Sequence, residues 1–259
     1  MSTALITGPT AGIGLSFARL LAAEGSNVVL VARDGERLEQ LAVNLRATYG
    51  IEAEVIAADL TVRADSERVE ARLADASRPI DMLVNNAGFG INAFFGDCPI
   101  DDQQRMLDVL VTAVMRLSHA AVPGMVERGS GSIINVGSVA AWIAGGTYSA
   151  AKAWCTVFSE SLDRELSGTG VHVTVVAPGF THTEFHQRAE MDMQGLPEFM
   201  WLDSDAVAAA GLKAVRRGQA VSVPSAQYKT LSLLAQYLPR PLVRAASGAR
   251  PNERNRRKG

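Results

Sequence analysis

A tyrosine and a lysine stand four positions apart in VGSVAAWIAGGTYSAAKAW, residues 136–154. On a helix, Tyr148 and Lys152 share one face. A free phenol ionises at about pH 10, and an ammonium beside it favours the phenolate and lowers that value. The pair therefore suits a phenol that gives or takes a proton near neutral pH. Ser138, ten residues upstream at the end of an apolar run, offers a hydroxyl that can hydrogen-bond an oxygen at the same place. A Tyr-x-x-x-Lys pair also arises by chance on exposed helix faces, so its weight depends on its surroundings.

Those surroundings begin with TGPTAGIG at 7–14, between an apolar run and an amphipathic one. Gly8, Gly12 and Gly14 follow G-x-x-x-G-x-G rather than G-x-G-x-x-G, but the physics is shared. Glycines let the backbone turn tightly and approach a pyrophosphate whose charge meets a helix N-terminus. Thr10 can add a hydroxyl donor. At the end of the second apolar run, VVLVARDGERLEQL, simple counting from the glycines lands on Asp34, which would favour a free ribose 2′-hydroxyl and NAD. The register argues otherwise. Ala32 ends the strand, Asp34 reads as the N-cap of the following helix, and Arg33 is placed to clamp a 2′-phosphate. NADP(H) is expected ahead of NAD(H). Asp59, after the third run, suits either an adenine amino group or a helix cap. NNAG at 85–88 ends the fourth run, as close backbone contact to a cofactor or a self-satisfied turn.

The elements that must carry these residues are short Val/Ile/Leu runs at 3–7, 28–32, 53–57, 82–86, 132–136 and 172–177. Strands buried on both faces look like this. Helical patterns lie between them at about 12–24, 35–48, 65–76, 101–128 and 147–167. The alternation predicts an α/β fold, a doubly wound parallel sheet with helices on both faces. A last strand is expected at 220–224, after a helix capped by Asp203 or Ser204. Residues 179–203 break the alternation with Phe185, Met191, Met193, Leu196, Phe199, Met200 and Trp201, and read as an apolar lid. One catalytic domain over 1–225 is expected, then an apolar helical extension and a basic tail over 226–259 that looks disordered. For that extension two readings stay open: a peripheral membrane anchor, or a helix packed on the core.

The chain has 259 residues, 47% of them apolar, and 25 basic against 27 acidic side chains, a net charge of −2. Nothing global points to nucleic acid. Cys98 and Cys155 have no metal-ligand or CxxC spacing and read as free thiols of a reducing, cytoplasmic compartment. MSTALITGPT has neither the basic start nor the apolar core of a signal peptide. No run of 18 apolar residues suggests a membrane span.

Taken together, TGPTAGIG, Asp59, NNAG, Ser138, YSAAK and the PGFTHT stretch at 178–183 resemble the short-chain dehydrogenase/reductase family over roughly residues 3–225. The resemblance implies a Rossmann-type sheet of about seven strands in the order 3-2-1-4-5-6-7 and a catalytic set of Ser138, Tyr148 and Lys152. It implies cofactor contacts from Gly8, Thr10, Gly12, Ile13, Gly14, Arg33, Asp59, Leu60, Asn86, Ala87, Gly88, Tyr148, Lys152, Pro178, Gly179, Thr181 and Thr183, and no metal. A hydride would pass between nicotinamide and a carbonyl or secondary alcohol of an apolar, 3-oxoacyl or steroid-like substrate. The helices over 101–128 and 147–167 would pair two copies into a homodimer or homotetramer. Two departures stand out. Family members usually carry an asparagine where DVLVTAV has Leu110, and leucine cannot hold the relay water that asparagine holds. Ser138 and Tyr148 are ten apart where thirteen is more usual, which should reshape one pocket wall through Trp142 and Ile143. Leu110 supports an alternative, a cofactor-binding sensor with impaired catalysis.

Overall fold

The computed structural model describes residues 2–185 and 197–247. The expectations for Met191, Met193 and Leu196 in the lid, and for the tail from Arg250 onward, lie outside these residues.

Seven parallel strands form one sheet in the order β3-β2-β1-β4-β5-β6-β7. They are β1 Thr3–Thr7, β2 Asn27–Ala32, β3 Ala53–Ala57, β4 Met82–Asn85, β5 Gly131–Val136, β6 Val171–Val176 and β7 Val221–Ser222. The helices are α1 Gly12–Ala23, α2 Gly35–Tyr49, α3 Arg63–Leu73, α4 Ile100–Leu107, α5 Val114–Glu127, α6 Gly146–Glu165, α7 Ser204–Val215, α8 Ala226–Tyr237 and α9 Arg240–Ala246. This is the Rossmann-type doubly wound sheet that the motifs implied.

Adjacent strand residues face opposite ways, and both ways are apolar. Ile6 points into a core with Phe17 and Leu21 of α1, Leu38 and Leu45 of α2, and Val207 and Leu212 of α7. Its neighbour Leu5 points into a second core with Val69 of α3 and Leu117, Ala121 and Met125 of α5. Each such side chain, fully buried, contributes about 1.5–3 kcal/mol. The strands thus need a helix layer on each face, and the right-handed crossovers supply it.

Caps set the ends. Asp34 accepts a hydrogen bond from the Arg37 amide at 3.0 Å and opens α2, as its position suggested, and Asp203 does the same for α7 through the Ala206 amide at 2.9 Å. Three boundaries differ from the pattern. Helix α3 begins and ends earlier than 65–76, and β7 keeps only two of its five expected residues. The helix expected over 101–128 is continuous but changes to a π-helical turn at Asp108–Ala113. The stretch Ile100–Glu127 is long enough, and apolar enough over 18 of its residues, to cross a membrane, although no unbroken apolar run marks it. Its Leu117, Ala121 and Met125 side chains pack against the sheet, so here it is a layer of the fold.

Residues 226–247 form two helices that touch the core while Leu231, Leu233, Leu234, Tyr237 and Leu242 stay exposed. Arg240 donates to the Trp142 carbonyl at 3.4 Å, and the Ala144 amide donates to Ser247 Oγ at 3.1 Å. Helix α9 and the residue after it thereby touch the loop between Ser138 and Tyr148 at Trp142 and Ala144.

Candidate active site

The turn between β1 and α1 is braced from the neighbouring strand. Asn86 Nδ2 donates to the carbonyls of Thr7 at 2.9 Å and Gly8 at 3.0 Å. Thr7 Oγ1 accepts from the amides of Asn86 and Ala87, both at 3.0 Å. The NNAG amides are therefore spent on the neighbouring glycine turn rather than on a turn of their own, and they hold that turn in shape. Gly14 has no room for a side chain, because a Cβ there would overlap the Gly8 carbonyl and the Asn86 amide. The N-cap of α1 is Ala11, which has no side chain to satisfy the first-turn amides, and no acidic residue stands in that turn. A cradle of this kind, with no carboxylate in the first turn of its helix, fits a dinucleotide pyrophosphate. Ile13 packs against the core, leaving its backbone to face the turn.

Distant segments complete this half. A Cβ on Gly12 would lie 2.5 Å from Thr183 Cγ2, so Thr183 is brought directly onto the glycine turn. Thr10, Gly12 and Thr183 line a cleft of about 750 Å³ together with Arg37 and Glu184. Arg33 is exposed at the end of β2. Arg37, which the sequence reading passed over, donates to the Thr10 carbonyl at 3.4 Å and pairs with Glu184 at 3.2 Å. Its place four residues after Arg33 on the first turn of α2 was the available signal.

Asp59 is not the cap of α3, whose N-cap is Val62 with no side-chain cap bond. Its carboxylate instead turns back to the Thr61 amide at 3.0 Å and hydroxyl at 2.8 Å, the local habit of a short acidic side chain. Leu60 follows it, and its carbonyl accepts from Ser66 Oγ at 3.2 Å. Thr181 is buried, and its hydroxyl donates to the Gly179 carbonyl at 3.1 Å, within its own loop. The Pro178 carbonyl accepts from the Val139 amide at 3.0 Å, which ties this loop to the residue after Ser138.

The tyrosine half is assembled at the edge of β5. Ser138 lies two residues past the strand end and starts a 3-10 turn, accepting from the Ala140 amide at 3.1 Å. Its hydroxyl is near enough to Tyr148 to pull the phenol's pKa down, so the ten-residue spacing still brings the two residues to one place. Lys152 Nζ donates to the Val136 carbonyl at 2.7 Å and lies 5.7 Å from the centroid of the Tyr148 ring. The lysine is buried, and burial lowers its pKa.

The expected direction of the tyrosine's shift is overturned. Burial pushes the Tyr148 phenol up to about 12, against a smaller downward pull from the Ser138 hydroxyl. Desolvation disfavours the phenolate, and the ammonium that was expected to favour it is held on the Val136 carbonyl. Cys155, one turn beyond Lys152, is a free buried thiol whose pKa burial also raises.

Around the phenol the walls are apolar. Leu110 is buried inside the π-helical turn and packs with Met106, Ala151, Phe89, Ile91 and Tyr148. Its Cδ2 fills the space where Gly88 lacks a side chain, 2.8 Å from an added Cβ. The Phe185 ring lies 5.8 Å from the Tyr148 ring. Trp142 packs with Val139, Phe180 and Met200 against Tyr228 of α8, while Ile143 is exposed.

A buried amide network went unread in the sequence. Asn85 Nδ2 donates to Asn135 Oδ1 at 2.9 Å, and Asn135 Nδ2 donates to Ser159 Oγ on α6 at 2.9 Å. It pins the helix of Tyr148 and Lys152 to β4 and β5. Asparagine inside the otherwise apolar runs MLVN and SIINV was the signal.

Comparison with known proteins agrees with this geometry. Residues 2–194 match the family model described as short chain dehydrogenase. A serine 3-dehydrogenase from Rhizobium radiobacter is 37% identical over 187 residues, 71% of this chain and 73% of that protein. A short-chain dehydrogenase from Sphingobium yanoikuyae, solved in complex with NADPH, superposes with a TM-score of 0.83 at 37% identity, covering 91% of this chain and 94% of that one. An alcohol dehydrogenase from Comamonas testosteroni described as specific for bulky-bulky ketones superposes at 0.79 with 32% identity, covering 99% and 98%.

Proposed function

The chain belongs to the short-chain dehydrogenase/reductase family, oxidoreductases that act between CH–OH and carbonyl groups, and on that premise we propose that it reduces apolar ketones with NADPH, Tyr148 supplying the proton. The observation that carries this reading is the meeting of Ser138, Tyr148 and Lys152 at the end of β5, with Lys152 Nζ 5.7 Å from the centre of the Tyr148 ring. Tyr148, beside Ser138 and raised to about 12, holds its proton across the neutral range. A protonated phenol can donate to a carbonyl oxygen, and the Lys152 ammonium must draw its pKa back toward neutral for the transfer to be fast. Phe89, Ile91, Leu110 and Phe185 around it favour an apolar substrate, as the ketone specificity of the Comamonas protein suggests for this chain.

In this reading Ser138 holds the substrate oxygen beside Tyr148, and Lys152 keeps positive charge next to the phenol as its proton leaves. Gly8, Thr10, Gly12 and Gly14 hold the cofactor's pyrophosphate, Asp59 and Leu60 flank the adenine, and Asn86–Gly88, Pro178, Gly179 and Thr183 carry it toward Tyr148. Arg33 selects a 2′-phosphate, and the NADPH complex of the Sphingobium relative supports that choice. When bound, the reduced nicotinamide supplies a hydride to the carbonyl carbon. Residues 1–225 act as the catalytic domain, and α8 and α9 close its substrate side. The exposed Met115, Val126 and Val157 on α5 and α6 serve as the contact to a second copy.

The test is NADPH oxidation by the purified protein against a panel of ketones, with nicotinamide fluorescence reporting binding. Tyr148→Phe should lower kcat by about 10²- to 10⁴-fold and leave NADPH binding intact. The sensor alternative, which Leu110 favours, requires tight NADPH binding by the unaltered chain and no turnover on any ketone.

A further inference from the structure

Helix α8 starts under strain. Its cap Ser225 has a φ of +135°, the one positive value on a non-glycine residue among the described residues. Such a backbone persists only where its surroundings demand it. The demand comes three residues later. Tyr228 is 2% exposed, and its ring lies directly on Gly179, where an added Cβ would fall inside the ring.

The Tyr228 hydroxyl uses both of its hydrogen-bonding roles. It donates to the Met200 carbonyl at 2.8 Å and accepts from the Phe180 amide at 3.2 Å. Gln227 adds a bond to the Phe199 carbonyl at 2.8 Å. Phe180 and Met200 belong to the two ends of the segment read as a lid. Those ends are also paired directly, Leu202 to the Phe180 carbonyl at 2.8 Å and His182 to the Leu202 carbonyl at 3.0 Å. One phenol therefore binds both ends of that segment and the loop of Pro178 and Gly179. From Pro178 the next bond leads to Val139, beside Ser138.

We propose that Tyr228 is a positioning residue, which fixes the Pro178–Gly179 loop and both lid ends and so sets where the nicotinamide end of the cofactor lies against Ser138 and Tyr148. This rests on the reduction reading above. It goes beyond that reading by assigning the C-terminal extension a part in the chemistry. The ring fills space, which is structural. The hydroxyl holds position, and a displacement of about 1 Å near reacting atoms is enough to lower a rate severely.

Tyr228→Phe separates the two roles, since it keeps the ring and removes the hydroxyl. The Phe180 amide should exchange with solvent about tenfold faster or more, a value on the scale of one lost hydrogen bond. In the folded variant, kcat per active site should fall about tenfold, while NADPH affinity, set mainly at the glycine turn and Arg33, should stay within about threefold. Phe180 exchange at the parent rate, or parent kcat in the folded variant, overturns the proposal. So does a loss of NADPH affinity as large as the loss of kcat, which would mark a general loosening. If the unaltered chain turns over no ketone, the reduction reading falls by itself. Phe180 exchange and NADPH affinity then still decide whether Tyr228 holds the loop.

Discussion

At the glycine turn the close contacts come from backbone and from one amide on the adjacent strand: Asn86 on Thr7 and Gly8, Thr7 on Asn86 and Ala87, and Gly14 against the Gly8 carbonyl. At the tyrosine they come from side chains on separate segments: Ser138 after β5, Phe89 and Ile91 after β4, Leu110 in the π-helical turn, and Phe185 beyond β6. The first region is held by backbone groups bonded to two side chains, the Asn86 amide and the Thr7 hydroxyl, at a distance that leaves no room for a side chain on Gly14. The second is held by side-chain shape and can be altered one wall at a time. On the proposed reading, cofactor binding is thereby kept apart from substrate choice.

The largest way to break this contrast is Gly14→Ala. The added methyl has nowhere to go, so the turn must open. NADPH binding should be lost, and overpacking should cost about 1–3 kcal/mol of stability, read by fluorescence titration and thermal melting. If Gly14→Ala binds NADPH like the parent, the turn is not held as tightly as its geometry requires.

The contrast also explains what could be read from the sequence. The strands were legible because burial on both faces leaves continuous Val/Ile/Leu runs. Asp34 and Asp203 were legible because a cap acts within three residues. Ser138, Tyr148 and Lys152 were legible as a group, since each sits at a strand end or helix start. Tyr228 and Phe180 are 48 positions apart and Asn85 and Asn135 are 50 apart, so no local pattern joins them. The direction of the Tyr148 shift failed for the same reason. Burial is set by Leu110, Phe89 and Phe185 arriving from elsewhere, and a four-residue spacing carries no record of them.

A smaller effect sharpens the cofactor side. Arg33→Ala should weaken NADPH binding by the loss of a charged hydrogen bond, about 1.5–3 kcal/mol or roughly ten- to a hundredfold, and leave NADH binding unchanged. Equal loss for both cofactors would deny Arg33 its part in selecting a 2′-phosphate.

The smallest effect sharpens the substrate side. Burial raises the folded phenol of Tyr148 from 10.0 to about 12. The unfolded chain therefore releases that proton first as pH rises. The stability linked to the phenol is whole below about pH 10 and is lost as pH climbs toward 12. Melting temperatures across this window should fall less steeply for Tyr148→Phe than for the parent. Identical slopes would place the phenol in water.

The brace from Asn86 to the glycine turn has a consequence for the order of events during synthesis. The bonds that shape Thr7 and Gly8 come from a residue 78 or 79 positions further along. A growing chain that has made its first strand, first helix and three glycines still lacks the group that holds them. The affinity for a nucleotide proposed for this turn would be acquired late, when the fourth strand docks beside the first, and the central pair of strands must assemble before a cofactor there could stabilise the fold.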